Sequence, residues 1–333
     1  MKHYNIPIFV PHEGCPFDCV FCNQKHITGS CLKTTKESIE KTIEKYLKTL
    51  PKQQKTVEVA FFGGSFTGID FDIQGQFLSI AHKYLSLGKI DGIRLSTRPD
   101  YINIKILDQL KKYGVTTIEL GVQSLDEDVL TKSNRGHSVS DVFNAVELIK
   151  KYNFSLGLQM MTGLPGDTDE KSIETAKKII ELSPDFVRIY PTLVVKDTML
   201  EVMYNNGEYV PQSLDEAVSL CKKLLILFEK NNIDVIRIAL QTTDEICPGA
   251  SLVAGPFDFQ FRELVESQIY YELFCDYLKK NPNNYSKILV NPKEISKATG
   301  KSKINIKKIY DKYKLKIKIL GDINLAPREF LFR

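Results

Sequence analysis

Cys15, Cys19 and Cys22 stand in a C-x3-C-x2-C spacing, with Gly14 and Pro16 flanking the first. Thiolates this close along a chain converge on one compact inorganic centre when the backbone loops around it. A [4Fe–4S] cluster ordinarily takes four protein thiolates. This loop supplies three, so one iron would remain open to a small molecule. Two rival centres use fewer or other ligands. A structural zinc wants a fourth Cys or His in a tetrahedral cage, and His12, His26 and Cys31 are nearby. A redox dithiol needs only C-x-x-C. The third cysteine, at a short offset on a loop that follows a strand-like run, favours iron and sulfur. Cys31, Cys221, Cys247 and Cys275 are scattered and read as ordinary small side chains.

The elements that must hold this loop alternate in kind. Apolar, β-branched runs at 5–10, 57–62, 92–96, 116–122, 155–161, 186–190 and 234–239 read as strands. Between them lie segments with apolar residues at helical spacing, among them 35–50, where Ile39, Ile43 and Leu47 repeat every fourth residue and Pro51 follows. Strand, polar or glycine-rich loop, then helix is the pattern of a parallel sheet with crossover helices. Right-handed crossovers curl such a sheet, so the expected fold class is α/β, a partial or full parallel (β/α) barrel. Its polar and glycine motifs recur just after the strands and therefore gather at the C-terminal mouth, where active sites of barrels sit. The barrel is expected over 1–245. Residues 246–333 are expected to form a long helix (259–280) and a small basic α+β module packed on the barrel, with strands at 287–290 and 314–320, a helical turn at 294–299 and an unassigned tail.

The motifs resemble those of the radical S-adenosylmethionine (radical SAM) superfamily. After the cysteine loop come Phe61-Phe-Gly-Gly-Ser-Phe-Thr67, Thr97-Arg-Pro-Asp100, Glu119-Leu-Gly-Val-Gln-Ser124, Asn134-Arg-Gly-His137, Leu164-Pro165 and Tyr190-Pro-Thr192, and then Gly255-Pro256 with 261–267. This ordered series is most similar to the radical domain of the Elongator catalytic subunit family, a branch that modifies tRNA. Two departures stand out: that branch spaces its first two cysteines more widely, and it carries a C-terminal acetyltransferase domain for which this chain leaves no room.

The resemblance implies a set of roles. Cys15, Cys19 and Cys22 would hold three irons of a [4Fe–4S] cluster, and S-adenosylmethionine would chelate the fourth. Gly63 and Gly64, with Ser65, would admit its methionine amino group, because no Cβ intrudes. Arg98 would pair with its carboxylate. Gln123 and Ser124 would bond the ribose hydroxyls, or merely cap the next helix, and Arg135, with Asn134 and His137, would contact cofactor or substrate. Gln159 and Tyr190, at strand ends, would look into the mouth as catalytic residues. Phe17 and Phe21 would keep water off the cluster, and Lys25, His26 and Thr28 would extend its loop.

Composition bounds the rest. Hydrophobic residues make up 43% and charged residues 26%, as in ordinary globular chains, and no apolar run approaches a membrane span. The N-terminus has no apolar signal core, and seven cysteines, an odd number with three clustered, make no disulfide framework. A cytoplasmic setting is expected. Between Lys279 and Lys318 lie thirteen lysines against two acids, Glu294 and Asp311, although the whole chain is only +4. A basic module of this kind points to a polyanion such as tRNA; the plainer reading is a solvated lysine surface. Three functions compete: a radical SAM enzyme acting on RNA, one acting on a small molecule in the manner of coproporphyrinogen oxidases, and a non-catalytic iron–sulfur or zinc protein that binds RNA. The first two require an electron donor such as a flavodoxin or ferredoxin.

Overall fold

Runs rich in Val, Ile, Leu and Phe that alternate with intervening helices belong in a parallel sheet, and that is where they lie. The computed structural model describes residues 2–10, 19–23, 34–51, 55–240 and 246–333. Its strands are β1 (Lys2–Val10), β2 (Lys55–Gly63), β3 (Gly92–Thr97), β4 (Thr117–Gln123), β5 (Ser155–Thr162), β6 (Phe186–Pro191), the short β7 (Val194–Val195) and β8 (Asp234–Ile238). Neighbours follow the order β1-β2-β3-β4-β5-β6-β8, all parallel. The sheet curls into a half-barrel, the partial form of the expected architecture.

The crossover helices start where their sequences supply caps. Helix α1 (Lys36–Thr49) opens on a capping box between Thr35 and Ser38 and buries Ile39 and Ile43. Asp70 Oδ1 accepts from the Asp72 and Ile73 amides at the start of α2 (Phe71–Ser86). Asn103 caps α3 (Ile104–Lys112), Asp126 caps α4 (Glu127–Lys132), and Ser138 forms a capping box with Asp141 on α5 (Val139–Lys151). Thr168 caps α6 (Asp169–Glu181), and Thr198 caps α7 (Met199–Asn205). These caps occupy the loops that leave the strand ends, so the polar residues there divide between starting helices and facing the mouth.

Alternation along each strand separates two faces. Val57, Val59 and Phe61, Ile93 and Leu95, Ile118 and Leu120, and Leu156 and Leu158 share one face and are buried. The opposite face carries Glu58, Arg94, Glu119, Gln159 and Arg188, one from each of β2 to β6 in turn. No helix among the described residues is long and apolar enough to cross a membrane.

The chain divides into two compact units, residues 1–212 with 227–256, and residues 213–226 with 257–333. Helix α8 (Leu214–Lys230) contributes to both, and β9 (Leu252–Ala254) pairs antiparallel with β7 in the first. The second unit holds α9 (Phe261–Lys280), β10 (Lys287–Val290), α10 (Ile295–Thr299), α11 (Ile304–Tyr313), β11 (Lys318–Gly321) and β12 (Phe330–Phe332). Its sheet runs β11-β10-β12 around a core of Tyr270, Phe274, Leu278, Ile288, Val290, Ile309 and Phe332. Three details differ from the sequence reading. The strand expected from residue 314 begins at Lys318, because Lys314 adopts a left-handed conformation (φ 62°) that ends α11. Helix α11 itself was not foreseen, and the unassigned tail supplies β12.

Candidate active site

The described part of the cysteine loop, residues 19–23, is clamped from two sides. The Val20 amide donates to Ser133 O (3.1 Å), and Val20 O accepts from the Leu200 amide (2.7 Å). Asn23 Nδ2 reaches Lys196 O at 3.0 Å, and the Cys22 amide closes a tight turn onto Cys19 O at 2.9 Å. Val20 and Phe21 pack with Val194, Leu200, Met203 and Tyr209 in a satellite apolar cluster. Cys19 is buried, Cys22 is half-buried, and neither is in a disulfide. Cys15, His12, Phe17, Lys25, His26, Thr28 and Cys31 lie outside the described residues.

The glycine motif meets this loop where β1 ends. Gly63 pairs with Val10 across the sheet, and the Gly64 amide donates to Val10 O at 3.1 Å. Gly63 has φ +115°, and a Cβ there would sit 2.6 Å from Val10 O, so only glycine fits. Buried Ser65 hydrogen-bonds Thr97 (2.9 Å) and accepts from the Arg98 amide (3.0 Å); Thr67 joins Thr97 at 2.5 Å. These bonds lock the ends of β2 and β3 together. Arg98 is buried, but its fork already holds Asp100, with Nε–Oδ1 and Nη2–Oδ2 both 2.9 Å. To take an external carboxylate, it would exchange or share that partner.

β4 ends in a bulge. Pairing with β5 slips between Gly121 and Gln123, and Gln123 sits at φ +66°, a conformation that non-glycine residues adopt at a cost. Over this bulge lies Arg135. Its Nη2 donates to Gly121 O (2.8 Å) and its Nη1 lies 3.5 Å from Cys19 Sγ. A Cβ on Gly121 would fall 2.8 Å from Arg135 Nη2 and 3.1 Å from Gln123 Nε2, so the missing side chain makes room for both. Ser124 Oγ accepts from the Asp126 amide (3.2 Å) and lies 3.4 Å from Thr175 Oγ1 at the approach to α4. His137 is buried with Nε2 3.2 Å from Val122 O. Burial, then the Arg135 and Arg98 charges, pushes its pKa down to about 3, so it is neutral and donates from Nε2. Asn134 turns the chain at φ +49°.

Deeper on the same face runs an ionic network in which sequence reasoning gave a role only to Gln159. Glu119, fully buried, accepts from Arg94 Nη1 (3.0 Å), Arg188 Nε (2.6 Å) and Nη2 (3.0 Å), and Gln159 Nε2 (3.1 Å). Arg94 Nε continues to Glu58 (2.6 Å), which His3 and Thr116 also contact. Gln159 is therefore a partner of Glu119. Tyr190 stands two residues beyond Arg188 on β6; burial raises its phenol pKa, with the Arg188 charge opposing. The signal that existed in sequence was single charged residues inside otherwise apolar strands.

The residues present fit an iron–sulfur centre with a small polar ligand beside it. Arg135 presents N–H to a cysteine sulfur, a contact that tunes cluster potentials. Arg135 Nε and Gln123 Oε1 are buried without a hydrogen-bond partner among the described residues. Buried polar groups left open in this way ask for a ligand.

Comparison with known proteins agrees with this chemistry. The profile of the Radical SAM superfamily matches residues 9–179, and that of the Radical_SAM C-terminal domain matches 184–271. Elongator complex protein 3 of Saccharomyces cerevisiae is 35% identical over 202 residues, 54% of this chain and 36% of that one. The tRNA uridine(34) acetyltransferase of Methanocaldococcus infernus is 29% identical over 248 residues, 64% of this chain and 46% of that one. The chain thus spans between about a third and a half of these two relatives. The structure of the archaeal Methanocaldococcus infernus Elp3 with an N-terminal deletion superposes with TM-score 0.63 at 25% identity, covering 84% of this chain and 63% of that one.

Proposed function

The chain belongs to the radical SAM superfamily of enzymes, and we propose that it modifies a base of tRNA. Cys15, Cys19 and Cys22 would hold a [4Fe–4S] cluster. Gly63, Gly64, Ser65, Arg98, Gln123, Ser124 and Arg135 would receive S-adenosylmethionine. Held there, a reduced cluster would supply one electron to the sulfonium of S-adenosylmethionine, with methionine released beside a 5′-deoxyadenosyl radical. The protein's own part is to hold, orient and shield. The observation that carries the reading is the convergence of Arg135 on Cys19, Gly121 and Gln123 at one corner of the barrel mouth.

Each residue then has a definable task. Arg135 fixes the cysteine loop to β4 while directing N–H toward sulfur. Gly63 lets β2 close against the last carbonyl of β1. Val20 and Phe21 exclude water from the flank of the loop through their apolar cluster. Glu119 holds Gln159 and Arg188 in place, and Gln159 and Tyr190 present polar groups toward the reacting base. The tRNA substrate is supported by the shared name of two Methanocaldococcus relatives, each a tRNA uridine(34) acetyltransferase, and by the lysines between Lys279 and Lys318. The interior arginines speak against a polycarboxylate small molecule, since Arg94 and Arg188 are committed to Glu58 and Glu119. A flavodoxin or ferredoxin would supply electrons, in a cytoplasmic setting.

The test has two arms. Anaerobically reconstituted protein, reduced and given S-adenosylmethionine, is expected to release 5′-deoxyadenosine; Cys19→Ser and Cys22→Ser abolish it, while Cys221→Ala and Cys275→Ala do not. Nucleoside mass spectrometry of tRNA from cells lacking the protein is expected to show one modified base missing. An unchanged nucleoside profile would remove the tRNA assignment, and no 5′-deoxyadenosine from protein with a full cluster would remove the enzymatic one.

A further inference from the structure

The lysines of the second unit fall into two groups. Lys279 pairs with Asp276, Lys297 with Glu266 and Glu294, and Lys301 with Asp258. Lys307, Lys316 and Lys318 are exposed and have no carboxylate partner among the described residues. These three line a single cleft of about 570 Å³ between α11 and the chain entering β11, a volume typical of small-ligand pockets. Buried Ile317 forms part of its apolar lining, and Asp311 is its one acid. Tyr310 lies in the same cleft, 43% exposed, with the Lys314 ammonium over its ring at 5.8 Å.

An exposed aromatic ring at an apolar cleft, bordered by unpaired cations, matches the two halves of a nucleotide. The base stacks on the ring while phosphates meet the ammonium groups. A paired base keeps its faces inside the helix, so this arrangement selects unpaired nucleotides, the usual targets of sequence-specific RNA recognition. We propose that the cleft binds an unpaired nucleotide of the RNA substrate, its base against Tyr310 and its flanking phosphates against Lys307, Lys316 and Lys318. This rests on tRNA being the substrate and adds where and how it is gripped.

Fluorescence anisotropy of the full chain, with a labelled tRNA transcript and with a blunt RNA duplex of similar length, tests it. Tyr310→Ala is expected to weaken tRNA binding roughly tenfold, the loss typical of one stacked base, with Tyr310→Phe unchanged and duplex binding unmoved. Lys307→Glu/Lys316→Glu/Lys318→Glu is expected to flatten the log–log salt slope by about two or three, one unit or slightly less per phosphate contact. Lys45→Glu/Lys48→Glu, on α1, leaves the slope as it was. Tyr310→Ala and the triple variant both binding tRNA like the wild type would overturn the cleft while leaving the tRNA assignment standing. So would equal losses for tRNA and duplex on Tyr310→Ala. A wild-type chain that binds tRNA no better than a neutral protein would take down both, with 5′-deoxyadenosine release still reporting on the radical chemistry.

Discussion

Arg135 Nη1 lies 3.5 Å from Cys19 Sγ although the two residues are 116 positions apart in sequence, and the same guanidinium donates to Gly121 O at 2.8 Å. One planar fork thus ties the cysteine loop to the bulged end of β4, a geometry that lysine's single ammonium cannot reproduce. Arg135→Lys should retain the cluster and shift its reduction potential, because hydrogen bonds to cluster sulfurs set that potential. Loss of an N–H donor to sulfur moves the potential negative. A drop in 5′-deoxyadenosine release of about tenfold or more should accompany it, the usual cost of altering a contact behind a metal ligand. Redox titration followed by electron paramagnetic resonance reads the first effect; an unmoved potential would show that the contact is only structural.

Glu119 is the shared acceptor of Arg94, Arg188 and Gln159. Removing one partner of a buried ionic group leaves the others uncompensated, at about 3–5 kcal/mol. Glu119→Gln should therefore lower stability to urea by that order. Glu119→Gln/Arg188→Met should recover much of the loss, because Arg94 keeps Glu58 at 2.6 Å while the second stranded charge is gone. If the double variant is no more stable than the single one, the network is not the source of the effect.

The same network shows what the sequence made legible and what it hid. The strands could be read because each of β2 to β5 carries a row of buried apolar residues along one face, and the cysteine spacing and the glycine pair lie at strand ends where the chain alone places them. Arg94, Glu119 and Arg188 are different: each is one charge in an apolar run, and its meaning depends on register. Pairing sets Arg94 opposite Thr117 and Gln159 opposite both Gly121 and Arg188, which brings Glu119 among them. Arg98 was legible as a strand-end arginine, yet its partner stood only two residues on, at Asp100. Helix α11 was obscured because lysines dilute its apolar stripe to Ile309 and half-buried neighbours.

Gly63 offers a backbone test. With φ +115° and Val10 O only 2.6 Å from a built Cβ, Gly63→Ala must either strain the residue or push β1 away, at about 1–3 kcal/mol for a residue forced into such a conformation. Since β1 leads directly into the cysteine loop, iron content after reconstitution should fall together with stability. Gly88→Ala is the control: it also has positive φ, but nothing lies within 4 Å of its Cβ, so it should cost stability without touching iron content. Equal iron loss in both variants would disconnect Gly63 from the loop.

His137 gives the chain a pH dependence whose sign is fixed. Its pKa falls from 6.5 to about 3 on folding, first through burial and then through the charges of Arg135 and Arg98. A depressed histidine means that the unfolded chain binds the extra proton and the folded one does not. The stability associated with neutral His137 is therefore complete above pH 6.5 and drains away as the pH falls toward 3. Between pH 7 and pH 5 this one group should remove about 2 kcal/mol, at close to 1.4 kcal/mol per unit once below 6.5. His137→Gln keeps a donor for Val122 O and does not titrate. Urea denaturation of both proteins at the two pH values isolates the effect, because the carboxylates common to both cancel. The gap between wild type and variant should narrow or reverse by that amount at pH 5; a constant gap would mean that His137 titrates alike in the folded and unfolded chains.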